Sequence, residues 1–123
     1  MRDATLKGRP AVGPGMDGEA VVRSYYRAID DHDYEAFADR LAPDVVHRRP
    51  DRTIDGRETL VAFMRDDRPN TETSHEVGRV YEDDAGVVVE GRLLDATGRE
   101  LFAFADVFSL SDGRIEEIRT YTH

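Results

Sequence analysis

The stretch Leu101–Thr122 constrains the fold most. It reads as a long strand, a tight turn at Ser111-Asp112-Gly113 and a second strand. Alternate positions place Phe102, Phe104, Asp106, Phe108 and Leu110 on one face of the first strand. Leu101, Ala103, Ala105, Val107 and Ser109 form the other face. Both faces are apolar enough to be covered, which predicts a central strand. Asp106 stands in the aromatic row. An ionised carboxylate among Phe rings costs several kcal/mol unless it is paired, hydrogen-bonded or protonated, roughly the scale of a buried unpaired charge. That makes Asp106 the first candidate for function, against the plainer reading of a bulge, mouth or capping residue.

The same period of two runs back to Thr73. Strands are predicted at about Thr73–Glu82, Gly86–Leu94, Arg99–Leu110 and Arg114–Tyr121. Asp83-Asp84-Ala85, Asp95-Ala96-Thr97-Gly98 and Ser111-Asp112-Gly113 supply the turns. Connections this short make consecutive strands antiparallel neighbours, so residues 73–122 form a four-stranded meander.

Helical spacing precedes it. Asp17-Gly18-Glu19 opens a helix whose apolar face is Val21, Val22, Tyr25, Ala28 and Ile29, with Tyr26 turned partly away. Asp33 caps a second helix with Tyr34, Phe37 and Leu41 inward, ended by Pro43. Asp44–Arg49 is a short strand, and its alternation leaves two registers open. Either Val45, His47 and Arg49 point inward, or Val46 and Arg48 do. Asp55-Gly56-Arg57-Glu58 has the form of a capping box opening a third helix with Leu60, Phe63 and Met64 on one side. Helices gathered ahead of an antiparallel sheet define an α+β domain over residues 17–123. Residues 1–16, rich in Gly and Pro and without periodicity, are expected to be a flexible arm.

Composition excludes several classes. The chain has 123 residues, a net charge of −9 and no cysteine. An acidic surface repels phosphate backbones, so no nucleic-acid partner is expected. Disulfides and thiolate chemistry are impossible, which fits a cytoplasmic protein. The N-terminal segment has no apolar core, so neither a signal peptide nor a membrane partner is expected. His32, His47, His75 and His123 show no metal-ligand spacing, and no metal or other cofactor is expected. His75 reads as a sheet-surface or mouth residue. No serine lies in a nucleophile motif, and Gly13-Pro14-Gly15 precedes no strand–helix unit. Lys7 is the single lysine, and aspartate outnumbers glutamate. Such a surface stays soluble in strong salt, a halophilic trait, although a GC-rich genome produces the same bias.

Four segments carry a resemblance: VRSYYRAIDDHDYEAF, LAPDVVHRRP, IDGRETL and DVFSLSDGRIEEIRTY. Together they resemble the NTF2-like superfamily, specifically its SnoaL-like proteins, relatives of ketosteroid isomerases and polyketide cyclases. The resemblance covers about residues 17–122. It implies a cystatin-like cone: three N-terminal helices packed on a curved antiparallel sheet, with a pocket at the open end. It also implies a homodimer through the outer sheet face. Ketosteroid isomerases place a tyrosine and an acid where this chain has Tyr25 and Asp106, both donating to an oxyanion. Their basic aspartate corresponds to Arg49, and a guanidinium cannot accept a proton. Epoxide-hydrolase-like members have an acid where this chain has Thr120. SnoaL-like cyclases use a pocket aspartate, for which Asp106 is the candidate.

Two readings follow. In one, the chain is an isomerase, cyclase or lyase: Asp106 is the acid/base, Tyr25 a donor, His47 a shuttle and Arg49 an anion clamp. In the other, it is a non-catalytic domain binding a small hydrophobic or carbonyl-containing molecule, with Arg49 and Asp106 as a buried ion pair. The ligand-binding set in either case is Arg49, Phe37, Phe63, Phe104, Phe108 and Thr120.

Overall fold

The computed structural model describes residues 17–123; the expected arm, residues 1–16, lies outside them. In chain order the elements are α1 (Gly18–Asp30), α2 (Tyr34–Asp39), β1 (Leu41–Arg48), β2 (Thr53–Asp55), α3 (Arg57–Ala62), β3 (Ser74–Asp83), β4 (Gly86–Leu94), β5 (Glu100–Ser111) and β6 (Arg114–Thr122). A π-helical turn, Phe63–Asp67, extends α3. The strands form one sheet in the order β2-β1-β6-β5-β4-β3. The sheet is curved and unclosed, and the helices pack on its concave side. The predicted meander is present as β3–β6, antiparallel throughout. The first strand joins it differently: β1 lies parallel to β6 and antiparallel to the short β2, which the sequence reading lacked.

Local chemistry explains the elements. The Asp17 side chain accepts from the Ala20 N–H at 2.8 Å, and Arg23 pairs with Glu19 one turn back. Asp33 caps α2 in the same way, accepting from Ala36 at 3.1 Å. The β5–β6 turn puts Asp112 at φ 53° and Gly113 at φ 76°, the left-handed pair that a two-residue hairpin needs. At Gly91 a Cβ would lie 2.4 Å from the Glu76 carbonyl oxygen and 2.9 Å from the Phe104 ring. Only glycine lets β3 and Phe104 approach β4 this closely.

Several boundaries differ from the sequence reading. Leu41 and Pro43 belong to β1 instead of α2, because the helix ends at Asp39 and the chain enters the sheet at once. Proline is tolerated there because β1 is irregular between Leu41 and Val46. Asp55 is in β2 and caps nothing; Gly56 holds the cap position of α3 at φ 93°, its N–H bonded to the Val45 carbonyl at 2.7 Å. Tyr26 is 3% exposed, not turned away. Both rows of α1, Val21-Tyr25-Ala28 and Val22-Tyr26-Ile29, are buried, because a helix seated in a concave sheet is covered over a wide arc. Phe102, expected in the core, is 38% exposed at the end of β5.

The core joins Tyr25, Phe37, Leu41, Val45, Leu60, Phe108, Ile115 and Ile118, all at 2% exposure or less. Phe108 meets the Tyr25 ring edge-on at 5.4 Å and Tyr26 at 5.9 Å. Phe108→Ala removes both contacts in a site closed on every side. It should cost about 3–5 kcal/mol in urea unfolding. A loss below about 1 kcal/mol would place this face of β5 outside the core.

Candidate functional site

The inner face of β5 carries Phe104, Asp106 and Phe108, each buried, and Asp106 is 6% exposed. Register sets its neighbours: Asp106 stands directly opposite Thr120 of β6. Paired residues share a face, so the Thr120 hydroxyl reaches the carboxyl and donates to Oδ1 at 2.6 Å. From α1 above, the Tyr26 hydroxyl donates to Oδ2 at 2.6 Å. Both carboxyl oxygens are therefore satisfied by neutral hydroxyls. Arg49 is not a partner: its nearest acid is Asp51, at 3.8 Å, and its guanidinium lies over the Phe63 ring, as does that of Arg52. The buried Arg49–Asp106 ion pair of the sequence reading does not form. The Arg49 side chain turns back over α3 instead.

The first-strand register is the one with Val45 and His47 buried, while Val46 is half-buried and Arg48 exposed. His47 is 3% exposed, and its Nε2 lies 2.8 Å from Thr120 Oγ1. His47, Thr120, Asp106 and Tyr26 thus form one hydrogen-bonded chain from β1 to α1. His47 Nδ1 and Arg49 Nε have no hydrogen-bond partner among the described residues, though both are buried.

Burial pushes the Asp106 carboxyl above its usual range, against the bonds from Thr120 and Tyr26. The Tyr25 and Tyr26 phenols are pushed up by burial and by the nearby Asp106. Burial, aided by Arg49, drives His47 down to about 3. At neutral pH His47 is therefore uncharged, with one N–H to give.

This chain lies at the wall of a cavity of about 490 Å³. Its buried side is made by Tyr25, His47, Asp106 and Thr120, and its apolar walls by Ile29, Met64 and Phe104. Leu101 and Phe102 stand at the exposed rim. Arg49 also lines it, as does His75, which the sequence reading placed at the sheet surface or a mouth. His75 is only 15% exposed in its side chain, because Asp30 at the end of α1 holds it: Nδ1 lies 2.7 Å from Asp30 Oδ1, and the His75 backbone N–H donates to Oδ2 at 3.0 Å. Phe37 and Phe108 pack in the core beside Tyr25, and Phe63 under the two arginines; none of the three lines the cavity. Sequence reasoning missed Tyr26, Asp30 and His75. The signal for Tyr26 was its spacing from Val22 and Ile29. For Asp30 and His75, 45 residues apart, a local pattern offered none. Among the described residues no cluster of His, Asp or Glu is arranged to hold a metal, and no helix is long and apolar enough to cross a membrane.

A helix-filled curved sheet with a polar group at the buried end of an apolar cavity defines an NTF2-like scaffold. The SnoaL-like domain family matches residues 22–118, and the chain belongs to it. Solved structures share the fold. An NTF2-like protein of unknown function from Cytophaga hutchinsonii is 17% identical, with 88% of this chain and 91% of that one covered at a TM-score of 0.76. A Kribbella flavida protein with a provisional ketosteroid isomerase assignment is 24% identical, with 85% and 76% covered at 0.74. A Sinorhizobium meliloti protein, provisionally a polyketide cyclase, is 18% identical, with 82% and 93% covered at 0.72. No curated protein matches the sequence.

Two measurements test the chain. Asp106→Asn keeps an acceptor for Tyr26 and turns one contact into an amide facing Thr120. Its cost in urea unfolding should be about 1–3 kcal/mol. A loss above about 4 kcal/mol would indicate a broken ion pair. His47 sets a pH dependence. The unfolded chain takes up a proton near pH 6.5, whereas the folded site resists until about 3. The stability due to neutral His47 is full above the unfolded pKa and lost as pH falls through that window, by up to about 1.4 kcal/mol per pH unit. Asp106, with its raised pKa, acts in the opposite sense, so the comparison must be with His47→Gln. The difference between wild type and His47→Gln should shrink or reverse from pH 7 to 4; a constant difference would mean that His47 carries no such linkage.

Proposed function

We propose that the chain binds a small, largely apolar organic molecule carrying a carbonyl or hydroxyl oxygen, with that oxygen at the buried end of the cavity. The observation that carries this reading is the combination of apolar walls with Tyr25, Asp106 and Thr120 at one end. Small-molecule sites have this character, a mostly apolar cleft of about 300–1,000 Å³ with a few convergent polar groups. The Tyr25 hydroxyl supports it further. It is buried in the cavity wall and has no hydrogen-bond partner among the described residues, so a ligand oxygen can receive its proton.

A second reading, an isomerase, cyclase or lyase with Asp106 as acid/base, is favoured by the raised carboxyl and its connection through Thr120 to His47. A homodimer belongs to the same proposal. Tyr81, Leu101 and Tyr121 are exposed large hydrophobics on the strands, as a sheet-mediated contact would require.

2-Naphthol, an apolar bicyclic with one hydroxyl, tests the binding reading. In ¹H–¹⁵N spectra it should saturate, shifting signals of Tyr25, His47, Phe104 and Thr120 while those of the β3–β4 turn stay fixed. No saturable shift, or shifts confined to the outer sheet face, would reject the cavity as the binding site.

A further inference from the structure

Two arginines, Arg49 and Arg68, line the cavity of a chain whose net charge is −9. Neither is neutralised inside it. Arg68 gives its N–H groups to neutral oxygens: Nε to the Met64 carbonyl at 2.8 Å, and the two terminal nitrogens to the Thr73 and Tyr34 hydroxyls at 3.5 and 3.3 Å. Arg49 makes no side-chain hydrogen bond among the described residues, and its Nε is buried. Its nearest acid, Asp51, stands 3.8 Å away, is 61% exposed and pairs more closely with Arg52, at 3.1 Å. The Phe63 ring lies under the guanidinium, 5.1 Å from centroid to Cζ, and brings no counter-charge. Asp106 is the one acid among the residues lining the cavity, and burial pushes its carboxyl toward the neutral form. The cavity is therefore an apolar space with positive charge left over.

That excess is felt at the buried end. Burial is the largest influence on the titration of Tyr25, His47 and Asp106, yet the Arg49 charge reaches all three and favours lower values. Tyr25 adds a second unmet need there, a buried hydroxyl without an acceptor among the described residues. A cation without a counter-ion and a donor without an acceptor are satisfied together by a carboxylate, which has two oxygens and one negative charge. Its plane also matches the guanidinium fork. A neutral oxygen answers only the hydroxyl. A phosphate would carry a further charge and a further oxygen toward Ile29, Met64 and Phe104, which cannot solvate them.

We propose that the ligand of the cavity is an apolar monocarboxylic acid, bound as its anion by Arg49 and the Tyr25 hydroxyl, with its hydrocarbon body against Ile29, Met64 and Phe104. This rests on the reading of the cavity as a small-molecule site and names the class of ligand. Arg49 sets the charge preference, and Tyr25 orients the carboxylate.

2-Naphthoate and 2-naphthol test this on the full chain, because they share one bicyclic body and differ in charge. In ¹H–¹⁵N titrations wild type should bind naphthoate at least about 10-fold more tightly than naphthol, the scale of a hydrogen bond to a charged group. The difference should shrink as KCl is raised from low to molar concentration. Arg49→Gln should reduce the preference for naphthoate by about 10-fold or more. In wild type the Arg49 Nε–Hε signal should shift when naphthoate is added, a readout that stands even if the variant fails to fold. Saturable binding of naphthol without binding of naphthoate would overturn the carboxylate and leave the cavity reading intact. Equal affinities in wild type, or a preference that survives in folded Arg49→Gln, would overturn it too. If neither compound binds, the cavity reading fails and the carboxylate falls with it.

Discussion

The structure depends on a buried carboxyl satisfied by two hydroxyls. Asp106 sits between Phe104 and Phe108 on the strand that α1 crosses, where an unpartnered charge would oppose folding by several kcal/mol, on the order of the cost of a bare buried ion. Thr120 answers from the neighbouring strand and Tyr26 from the helix. These two bonds fix more than a side chain. The first pins the β5–β6 register on the inner face, since a one-residue slip would turn Thr120 outward. The second sets the rotation of α1 over the sheet. Tyr25 then falls beside Phe108 and Phe37 with its hydroxyl toward the cavity.

Curvature supplies the rest. The sheet bends where Gly91 lets β3 and Phe104 close on β4, and where β3, β5 and β6 carry register shifts. Helices fill one part of the concave side: α1 and α2 with Phe37, and α3 with Leu60. Past Ile29 and Met64 no helix of the described residues fills the space, and the cavity lies there. Its walls are core residues continued toward solvent. Apolar lining and buried polar floor thus have one origin, a sheet longer than the helices that cover it.

Much of this was legible in the sequence, and the limits have physical causes. Strict alternation and turn chemistry gave β3–β6 almost to the residue, because period two and short connections leave little freedom. Asp106 could be singled out because a charge in an aromatic row is costly wherever the strand lies. What failed depended on three-dimensional covering. Whether Tyr25 or Tyr26 meets the carboxyl is decided by a rotation of α1 that an amphipathic pattern fixes only to within a residue. β2 has three residues, too few for a period. The capping-box pattern at Asp55 was outweighed because β1 takes the Gly56 N–H. The Asp30–His75 contact joins the end of α1 to the start of β3, and neither residue is unusual in its own neighbourhood.

The two carboxyls of the cavity region divide by the company they keep. Asp106 accepts hydrogen bonds from two neutral hydroxyls. Arg49 is turned toward Phe63 and Asp51, and burial keeps the Asp106 carboxyl pushed toward its neutral form. Asp30 meets His75, one oxygen on the imidazole and the other on the backbone N–H. Tyr26 joins them: its hydroxyl is on Asp106 and its ring against His75. One tyrosine therefore links a carboxyl that accepts two hydroxyl hydrogen bonds to an imidazole held by a second carboxyl.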